Sequence, residues 1–322
     1  MIVDLYAGPG GWSEGLRALG LVDIGWEIDE AACATRAAAG HKTIRADVAT
    51  WPLDQLVGRV DGIIASPPCQ AFSAAGKGTG RQVLDELVDA VARGDWGWSH
   101  DDDRVRHVLE VGRWVETIRP RWVACEQVPP VLPVWEAYAD RWRHRFGWSA
   151  WAGVLNAADW GVPQTRRRAF LIARTDGAPV APPEPTHCKG GALTVFGWLA
   201  PWVTMADALG WSDDVTVEHW RGAGMAERHG DRPKRPATSP APSITAGANR
   251  RLVLDRRQQH DGTPVPTVSL RDALILQGFP PDYPVQGTRG KQFEQVGNAV
   301  PPPLAAAVVA AVTRPAVRKG VA

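Results

Sequence analysis

One cysteine of this chain stands in a setting that suits a nucleophile. Cys69 follows two prolines in the segment 66–70, and these prolines restrict the backbone directly before the thiol. The apolar run at residues 61–65 is typical of a buried strand, so the thiol is expected on a rigid turn at a strand's carboxyl end. Such a thiol can attack an electrophilic carbon if its thiolate is stabilised. The alternative interpretation is a small cysteine buried in the core.

A glycine-rich turn near the N-terminus suits the binding of a nucleotide-like ligand. Gly8, Gly10 and Gly11 closely follow an apolar run at residues 2–6. Glycines at the carboxyl end of a strand let the backbone approach a ligand closely. Glu27, about 20 residues further on, ends a second strand-like run and is placed to accept hydrogen bonds from ribose hydroxyls. A tight turn without a ligand is the alternative.

Strand-like and helix-like segments alternate through the first half of the chain and would position these side chains. Asp29 is expected to cap the helix that follows it. Alternation with short connections predicts an α/β fold whose sheet is mostly parallel and covered by helices on both faces. The predicted strands are residues 2–6, 23–28, 61–65, 122–125, 149–155 and 169–173. The predicted helices are residues 13–19, 29–39, 104–118, 270–277 and 303–312.

The composition indicates an ordinary globular protein. The chain has 322 residues, and 44% of them are hydrophobic, which is too high for a disordered chain. The sequence shows no leader pattern and no apolar stretch of about 18 residues, so we expect neither a signal peptide nor a membrane span. The four cysteines form no CxxC pair, which argues against a disulfide framework or a zinc site and favours a reducing cytoplasm.

Basic residues are concentrated in one part of the chain. A proline-rich segment at residues 175–187 is interpreted as a linker, and regular periodicity is poor after it. Residues 219–271 hold ten Lys or Arg against four Asp or Glu, a local charge of +6 in a chain whose total is +1. This clustering is the pattern expected for contacts with nucleic-acid phosphates. A solvated basic surface is the alternative.

Taken together, the motifs resemble those of the DNA (cytosine-5) methyltransferase family, of bacterial or phage type, in that family's usual order. The segment 4–11 resembles the first, cofactor-binding motif, and Cys69 lies in a Pro-Cys-Gln triplet similar to the catalytic one. Glu126 begins a Glu-Gln-Val triplet where the family has Glu-Asn-Val. The remaining matches are residues 27–29, 47–48, 164–168, 271–280 and 295–301.

The resemblance implies a two-domain α/β architecture. A Rossmann-like sheet would bind S-adenosylmethionine, and a smaller, irregular domain would recognise the target. Residues 1–175 with 292–322 are expected to form the catalytic and cofactor-binding domain, and residues 176–291 the target-recognition domain. Under this division Asn298 would bring the C-terminal segment back beside the first turn.

The resemblance also implies covalent catalysis by four residues. Cys69 would attack carbon 6 of cytosine, which makes carbon 5 able to accept a methyl group. Glu126 would supply a proton near ring nitrogen 3. Arg166 and Arg168 alternate on a predicted strand, so both would face Glu126 and the target nucleotide while Arg167 faces away. Without the resemblance, an ordinary strand-end carboxylate and surface arginines are the alternatives.

The cofactor implied is S-adenosylmethionine, which leaves as S-adenosylhomocysteine. Because its sulfonium already makes the methyl group reactive, no metal is expected. Glu27 would hold the ribose hydroxyls, Ile28 the adenine face and Asp47 the adenine amino group. The residues assigned to cofactor contacts are Tyr6, Gly8, Gly10, Gly11, Trp12, Glu27, Ile28, Asp47, Val48, Pro68, Asn298 and Ala299.

The substrate implied is double-stranded DNA. A base inside a duplex is not accessible to a thiol, so the target cytosine must be flipped out, at a cost on the order of a few kcal/mol. The basic segment 219–271 would lie across the cleft and read the flanking sequence. We expect a cytoplasmic monomer with no membrane partner, and a cognate restriction endonuclease is a candidate partner.

Three other functions fit parts of the pattern. An RNA methyltransferase of the same fold is disfavoured by the long basic segment. A catalytically inactive DNA-binding homologue is disfavoured because Cys69, Glu126 and Arg168 are intact. A nucleotide-dependent oxidoreductase would explain neither Cys69 nor the motif around Asn298.

Two features depart from the family's pattern. Gln127 stands where the family has Asn, and its extra methylene is expected to disturb the local turn. The segment between Cys69 and the helix predicted from residue 104 is unusually long. It contains an amphipathic run at residues 82–92 and an acidic cluster at 101–103. We expect this insert to belong to the catalytic loop and to point away from DNA phosphates or contact a partner.

Overall fold

The computed structural model describes residues 1–73, 78–195, 197–219, 234–245, 251–255 and 268–314. Its strands are β1 (Ile2–Leu5), β2 (Asp23–Glu27), β3 (Lys42–Arg45), β4 (Gly62–Ala65), β5 (Trp122–Gln127), β6 (Ser149–Asn156), β7 (Gln164–Thr165), β8 (Arg167–Arg174), β9 (His187–Cys188), β10 (Ala192–Thr194), β11 (Gly197–Pro201), β12 (Val215–His219), β13 (Lys234–Pro236), β14 (Ala241–Pro242) and β15 (Arg251–Asp255). Its α-helices are α1 (Gly11–Ala18), α2 (Glu30–Ala38), α3 (Thr79–Gln82), α4 (Leu84–Arg93), α5 (Asp103–Ile118), α6 (Leu132–Phe146), α7 (Met205–Leu209), α8 (Leu270–Gln277), α9 (Arg289–Asn298) and α10 (Pro302–Thr313).

A seven-stranded sheet in the order β3-β2-β1-β4-β5-β8-β6 forms the centre of the molecule. The strands β1 to β5 run parallel, whereas β8 pairs antiparallel with both β5 and β6. The prediction of a mostly parallel α/β sheet is therefore confirmed. The edge strand β3 was not predicted, because Lys42 and Arg45 at its ends interrupt the apolar run that marks the inner strands.

Alternate side chains of the inner strands enter two separate cores, because successive residues of a strand point to opposite faces. Ile63 and Val123 pack in one core, which also holds buried side chains of α4, α5 and α6. Ile64 and Ala124 pack in the other, together with side chains of α1 and α10. Helices thus cover both faces of the sheet, as the sequence predicted.

The insert at residues 82–103 contains a helix packed in the core. Its amphipathic run forms helix α4, whose Leu87 and Val91 are fully buried in the core that includes α6. Beyond α4, the Trp96 ring stacks on Tyr138 of α6 with ring centroids 5.7 Å apart. The expectation that this segment belongs to the catalytic loop was wrong. Apolar side chains on one face of α4 pack in the core beside α6, so the helix is part of the fold's interior. Asp102, in the acidic cluster, caps α5 by accepting a hydrogen bond from the Arg104 amide.

A third core lies outside the central sheet. It contains Met205 of α7, Val215 of β12, Leu274 of α8 and Phe293 of α9. Of the basic segment 219–271, residues 220–233, 246–250 and 256–267 lie outside the described part of the chain, so its role in DNA contacts stays a prediction. The domain boundaries stay a prediction as well.

The C-terminal helix α10 returns to the first turn of the chain. Leu304 packs with Trp12 and Leu16 in the core beside α1. Gly11 permits this approach, because a Cβ there would lie 2.2 Å from the Val300 carbonyl oxygen. The stretch Arg289–Thr313 is long and apolar enough to cross a membrane by length and composition, but 61% of its most apolar part is buried within the protein. We therefore interpret it as core packing.

Candidate active site

A cavity of about 240 Å³ opens where β1, β2, β4 and β5 end. Ligands bind at this edge of open parallel sheets, because the loops after successive strands converge there. The cavity brings together thirteen of the residues that the sequence assigned to catalysis or to cofactor contacts. They are Tyr6, Gly8, Gly11, Trp12, Glu27, Ile28, Pro68, Cys69, Glu126, Arg166, Arg168, Asn298 and Ala299.

Glu126 and Arg168 form an ion pair at the wall of the cavity. The Arg168 Nε lies 3.0 Å from Glu126 Oε1, and both side chains are largely buried. The pair forms because β5 and β8 are antiparallel neighbours, which sets Glu126 opposite Phe170 and brings Arg168 alongside it. The guanidinium thus fixes the orientation of the carboxylate at the cavity that Cys69 also lines.

Arg166 lies just before β8 rather than on the same strand as Arg168, so this detail of the prediction was wrong. The preceding residues form β7, which pairs with β14 instead of continuing β8. The Arg166 side chain still lines the cavity, whereas Arg167 is exposed and does not line it, as expected.

The guanidinium of Arg166 is fully enclosed. It donates to the carbonyl oxygens of Ile244 at 2.9 Å and Gly297 at 3.0 Å. Its Nε has no hydrogen-bond partner among the described residues. Burial, followed by repulsion from Arg168, lowers the pKa of Arg166 to about 9. A buried N–H without a partner is costly, so this group is suited to bind an anionic or carbonyl oxygen.

Cys69 is partly exposed, with a thiol that the surroundings keep neutral. Burial raises the pKa of the Cys69 thiol above its ordinary value, and the Glu126 carboxylate raises it further. Arg168 and Arg166 oppose both effects. A ligand that neutralises Glu126 therefore favours formation of the thiolate.

Gln127 holds the turn that carries Cys69. Its Nε2 donates to the carbonyl oxygens of Pro67 at 2.8 Å and Pro68 at 3.2 Å. Its Oε1 accepts from the amide of Val128 at 2.7 Å. The expectation that the extra methylene disturbs the local turn was wrong. The longer side chain reaches from β5 to the proline carbonyl oxygens and still accepts a hydrogen bond from the Val128 amide.

Glu27 is held rigidly at the mouth of the cavity. Its carboxylate accepts hydrogen bonds from the backbone amides of Gly8 at 2.8 Å, Ile28 at 2.7 Å and Asp29 at 2.8 Å. The adjacent Ile28 side chain is 62% exposed and lines the cavity. An anchored acceptor beside an uncovered apolar side chain fits a ribose next to a flat aromatic ring.

Three residues assigned to the cofactor do not line the cavity: Gly10, Asp47 and Val48. Gly10 has φ +102° and directly precedes α1, so it shapes the turn. Asp47 accepts a hydrogen bond from the Ala49 amide at 2.8 Å. Val48 is buried, and its carbonyl oxygen accepts hydrogen bonds from α5.

Sequence reasoning assigned no role to three cavity residues from α9: Lys291, Glu294 and Gln295. With Asn298 they follow helical spacing, which places them on one face, and this periodicity was the signal available. Lys291 Nζ lies 2.9 Å from Asp29 Oδ2 and 3.2 Å from Glu294 Oε2.

Solved structures similar to this chain have the same overall fold. A Spodoptera frugiperda DNMT2 mutant superposes with a TM-score of 0.65 and 16% sequence identity, covering 97% of this chain and 99% of that one. The S. pombe Dnmt2 methyltransferase superposes with a TM-score of 0.61 and 14% identity, covering 97% of both chains. At these identities the similarity shows the fold alone.

Sequence comparison identifies the family. The family model described as C-5 cytosine-specific DNA methylase matches residues 1–189 and 216–314. The chain is 29% identical to the Type II methyltransferase M1.HphI of Haemophilus parahaemolyticus, covering 97% of this chain and 86% of that protein. It is also 29% identical to the Type II methyltransferase M.HgiDI of Herpetosiphon aurantiacus, covering 94% and 91%. The chain therefore belongs to the C-5 cytosine-specific DNA methylase family and methylates carbon 5 of cytosine in DNA with S-adenosylmethionine.

Proposed function

We propose that Cys69 forms a covalent bond to the target cytosine during methyl transfer. The convergence of Cys69 and the Glu126–Arg168 pair on one cavity with the glycine turn carries this proposal. As the Cys69 sulfur bonds to carbon 6, the thiol proton passes through the Glu126 carboxylate to nitrogen 3, where it balances the electrons displaced into the ring. Carbon 5 is then nucleophilic enough to take a methyl group.

The later steps regenerate the enzyme. When bound, S-adenosylmethionine supplies the methyl group from its sulfonium and becomes S-adenosylhomocysteine. The proton on carbon 5 then leaves to water, the bond between carbon 6 and sulfur breaks, and the proton on nitrogen 3 returns to Glu126. Cys69 is released as a thiolate and regains its proton from Glu126, and the cytosine keeps its methyl group.

The two arginines have different roles in binding the target base. Arg168 holds Glu126 in position through the 3.0 Å ion pair. Arg166, whose Nε lacks a partner among the described residues, binds an oxygen of the target nucleotide. This contact lets a flipped-out cytosine replace the hydrogen bonds it loses in the duplex.

The cofactor occupies the part of the cavity between the glycine turn and α9. Glu27 accepts from the ribose hydroxyls and Ile28 covers the adenine face. Asp47, which does not itself line the cavity, accepts from the adenine amino group where the ring extends past the lining residues. Tyr6, Gly8, Trp12 and Pro68, with Asn298 and Ala299, surround the remainder. The support for this assignment is the anchored Glu27 carboxylate and the uncovered Ile28 side chain.

We also propose a domain organisation and a biological setting. Residues 1–175 with 292–322 form the catalytic domain, and residues 176–291 recognise a specific sequence in duplex DNA. The enzyme works as a cytoplasmic monomer beside a cognate restriction endonuclease. The Type II methyltransferases among its relatives support this last assignment.

One experiment tests the mechanism. Duplex DNA carrying 5-fluorocytosine should form a covalent adduct with the protein in the presence of S-adenosylmethionine, because fluorine at carbon 5 cannot leave as a proton does. Peptide mass spectrometry should locate the adduct on Cys69, and Cys69→Ala should abolish both adduct and 5-methylcytosine. Matched RNA should give neither.

Each contrary outcome has a separate meaning. An adduct on another residue, or undiminished methylation by Cys69→Ala, would overturn the covalent role of Cys69. Methylation of RNA in preference to DNA would favour the RNA alternative. A native protein that binds DNA and cofactor without methylating any mixed-sequence duplex would favour an inactive homologue.

A further inference from the structure

Polar side chains of α5 face two loops of the cofactor site. His107 Nδ1 lies 3.1 Å from the hydroxyl of Tyr6, which lines the cavity in the turn after β1. One and two helical turns later, Glu110 and Arg113 face the loop after β3, which contains Asp47. No step of the methyl transfer uses these α5 side chains, so their burial and charge require another explanation.

Arg113 binds three backbone carbonyl oxygens of this one loop. Its Nη2 donates to Val48 at 2.6 Å and to Ala49 at 3.2 Å. Its Nη1 donates to Trp51 at 3.3 Å. The rigid, planar guanidinium suits this arrangement, since its donors are fixed relative to one another.

Glu110 fixes Arg113 in turn. Its side chain is 4% exposed, and its Oε2 lies 2.5 Å from the Nε of Arg113. The neighbouring Trp114 adds a second anchor, because its Nε1 donates to the Val48 carbonyl oxygen at 3.0 Å. A buried carboxylate is costly without a partner, so the pair ties the loop conformation to the packing of α5.

The same loop presents Asp47. Its Oδ1 accepts from the Ala49 amide at 2.8 Å, and the carbonyl oxygen of Ala49 is one of those bound by Arg113. The residue that orients the Asp47 carboxylate is therefore itself held by Arg113.

We propose that Arg113 is a positioning residue that makes the enzyme selective for the adenine ring of its cofactor, by fixing the loop that presents Asp47. This inference rests on the proposed contact between Asp47 and the adenine amino group. It predicts that loss of Arg113 weakens recognition of that amino group and leaves the ribose and methionine contacts intact.

Isothermal titration calorimetry with two ligands tests it. The ligands are S-adenosylhomocysteine and its deaminated analogue, in which a carbonyl oxygen replaces the adenine amino group. The native enzyme should prefer the adenine form by about tenfold or more, as expected for a hydrogen bond to a charged group. In Arg113→Met this preference should fall to about twofold or less, mainly through weaker binding of S-adenosylhomocysteine.

Arg141→Met is the matched control. Arg141 also binds a glutamate of α5, with its Nε 2.7 Å from Glu116 Oε1, and it donates to the Ala92 carbonyl oxygen at 3.1 Å. It contacts neither cofactor loop in the described residues, so its loss should lower stability without changing the preference. Should Arg113→Met fail to fold, Arg113→Lys, which keeps the charge but not the fixed set of donors, should show an intermediate preference.

The outcomes separate two hypotheses. A native enzyme that binds both ligands equally would overturn the proposed role of Asp47. A native preference that survives intact in folded Arg113→Met, or in Arg113→Lys, would overturn the role of Arg113 alone. An equal loss in Arg141→Met would show that general destabilisation, rather than the position of the loop, controls the preference.

Discussion

At Cys69 the folded protein disfavours the thiolate that the proposed reaction needs. Burial is the larger cause of the raised thiol pKa, and the Glu126 carboxylate is the next. A resting thiol resists oxidation, whereas a proton held on Glu126 and shared with nitrogen 3 of a bound cytosine would remove the second cause. The nucleophile is thus expected to become reactive only when a cytosine is in place.

This balance predicts a pH dependence for alkylation of Cys69 by iodoacetamide. Because the pKa is raised, the thiolate fraction at pH 7 is small, and the rate should increase continuously as the pH rises through 9. Glu126→Gln should react about three- to tenfold faster at pH 7.5, since a nearby negative charge is lost. Peptide mass spectrometry separates Cys69 from Cys33, which serves as the internal control. If the pH profile of Cys69 alkylation in Glu126→Gln equals that of the native protein, or lies at higher pH, this expectation is contradicted.

Gln127 shows how a departure from a family's pattern can be accommodated. The Gln127 side-chain amide, on β5, donates to the carbonyl oxygen of Pro67 before Cys69. It also accepts a hydrogen bond from the backbone amide of Val128. Asn at this position is shorter by one methylene, so in this backbone it would lose one of the two connections.

We predict that Gln127→Asn lowers kcat by about tenfold and leaves KM for S-adenosylmethionine unchanged, because one hydrogen bond that positions the nucleophile is lost. Steady-state kinetics measures both constants. Gln292→Asn is the control, since Gln292 also donates to a backbone carbonyl, that of Val285, but does not line the cavity. Equal or faster turnover by Gln127→Asn would show that the longer side chain has no positioning role.

At the scale of elements, α2 is attached to the sheet through one buried arginine. The Arg36 guanidinium donates to Asp23 at 2.9 Å, Ser13 at 2.9 Å and Thr43 at 2.8 Å, and lies 3.8 Å from Asp4. It therefore joins β1, β2 and α1 to α2 and to β3. Burial raises the pKa of Asp4, whose carboxylate oxygens have no hydrogen-bond partner among the described residues.

Arg36→Met should reduce the free energy of unfolding by about 3–5 kcal/mol, because it leaves buried carboxylates without their cation. Urea denaturation followed by circular dichroism measures the change. Arg45→Met removes the exposed ion pair with Glu30 and should cost less than about 1 kcal/mol. Similar losses of unfolding free energy in Arg36→Met and Arg45→Met would mean that the buried cluster stabilises the fold no more than an exposed ion pair does.

The elements that were predicted and those that were missed differ in their apolar pattern. Helix α8 begins and ends at its predicted residues, and the capping box of Ser269 and Asp272 gives the physical reason. Helix α6 was missed because Pro129 and Pro130 precede it and its polar residues weaken the periodicity. It becomes a stable helix through the burial of Trp135, Tyr138 and Trp142.

At the scale of the whole molecule, the first and last parts of the chain meet at the cavity proposed to bind the cofactor. Asp29 caps α2 and pairs with Lys291 of α9, and both residues line the cavity. Burial alone would raise the pKa of Asp29, but the hydrogen bonds from Lys291 and from the Ala32 amide bring it below its ordinary value. This contact joins residues far apart in sequence at the wall of the cavity.

Lys291→Met should raise the dissociation constant of S-adenosylhomocysteine by no more than about fivefold, because the pair is partly exposed. Asp29→Asn keeps a competent helix cap and should give the same change, and the double variant should add nothing further. Calorimetry at low and high salt checks this, since screening should reduce the effect. Additive losses in the double variant would show that the two residues act independently.

The sequence alone was enough to predict the residues that we propose carry the chemistry, because the turns around Cys69 and Gly8 depend on residues next to one another in the chain. It also predicted the mostly parallel sheet, since buried strands require continuous apolar runs. Only the tertiary structure decided the partners: Arg168 rather than Arg166 for Glu126, Gln127 for the proline carbonyls, and Arg113 for the loop of Asp47. These contacts join separate elements, so they depend on how strands and helices pack, which no local pattern specifies.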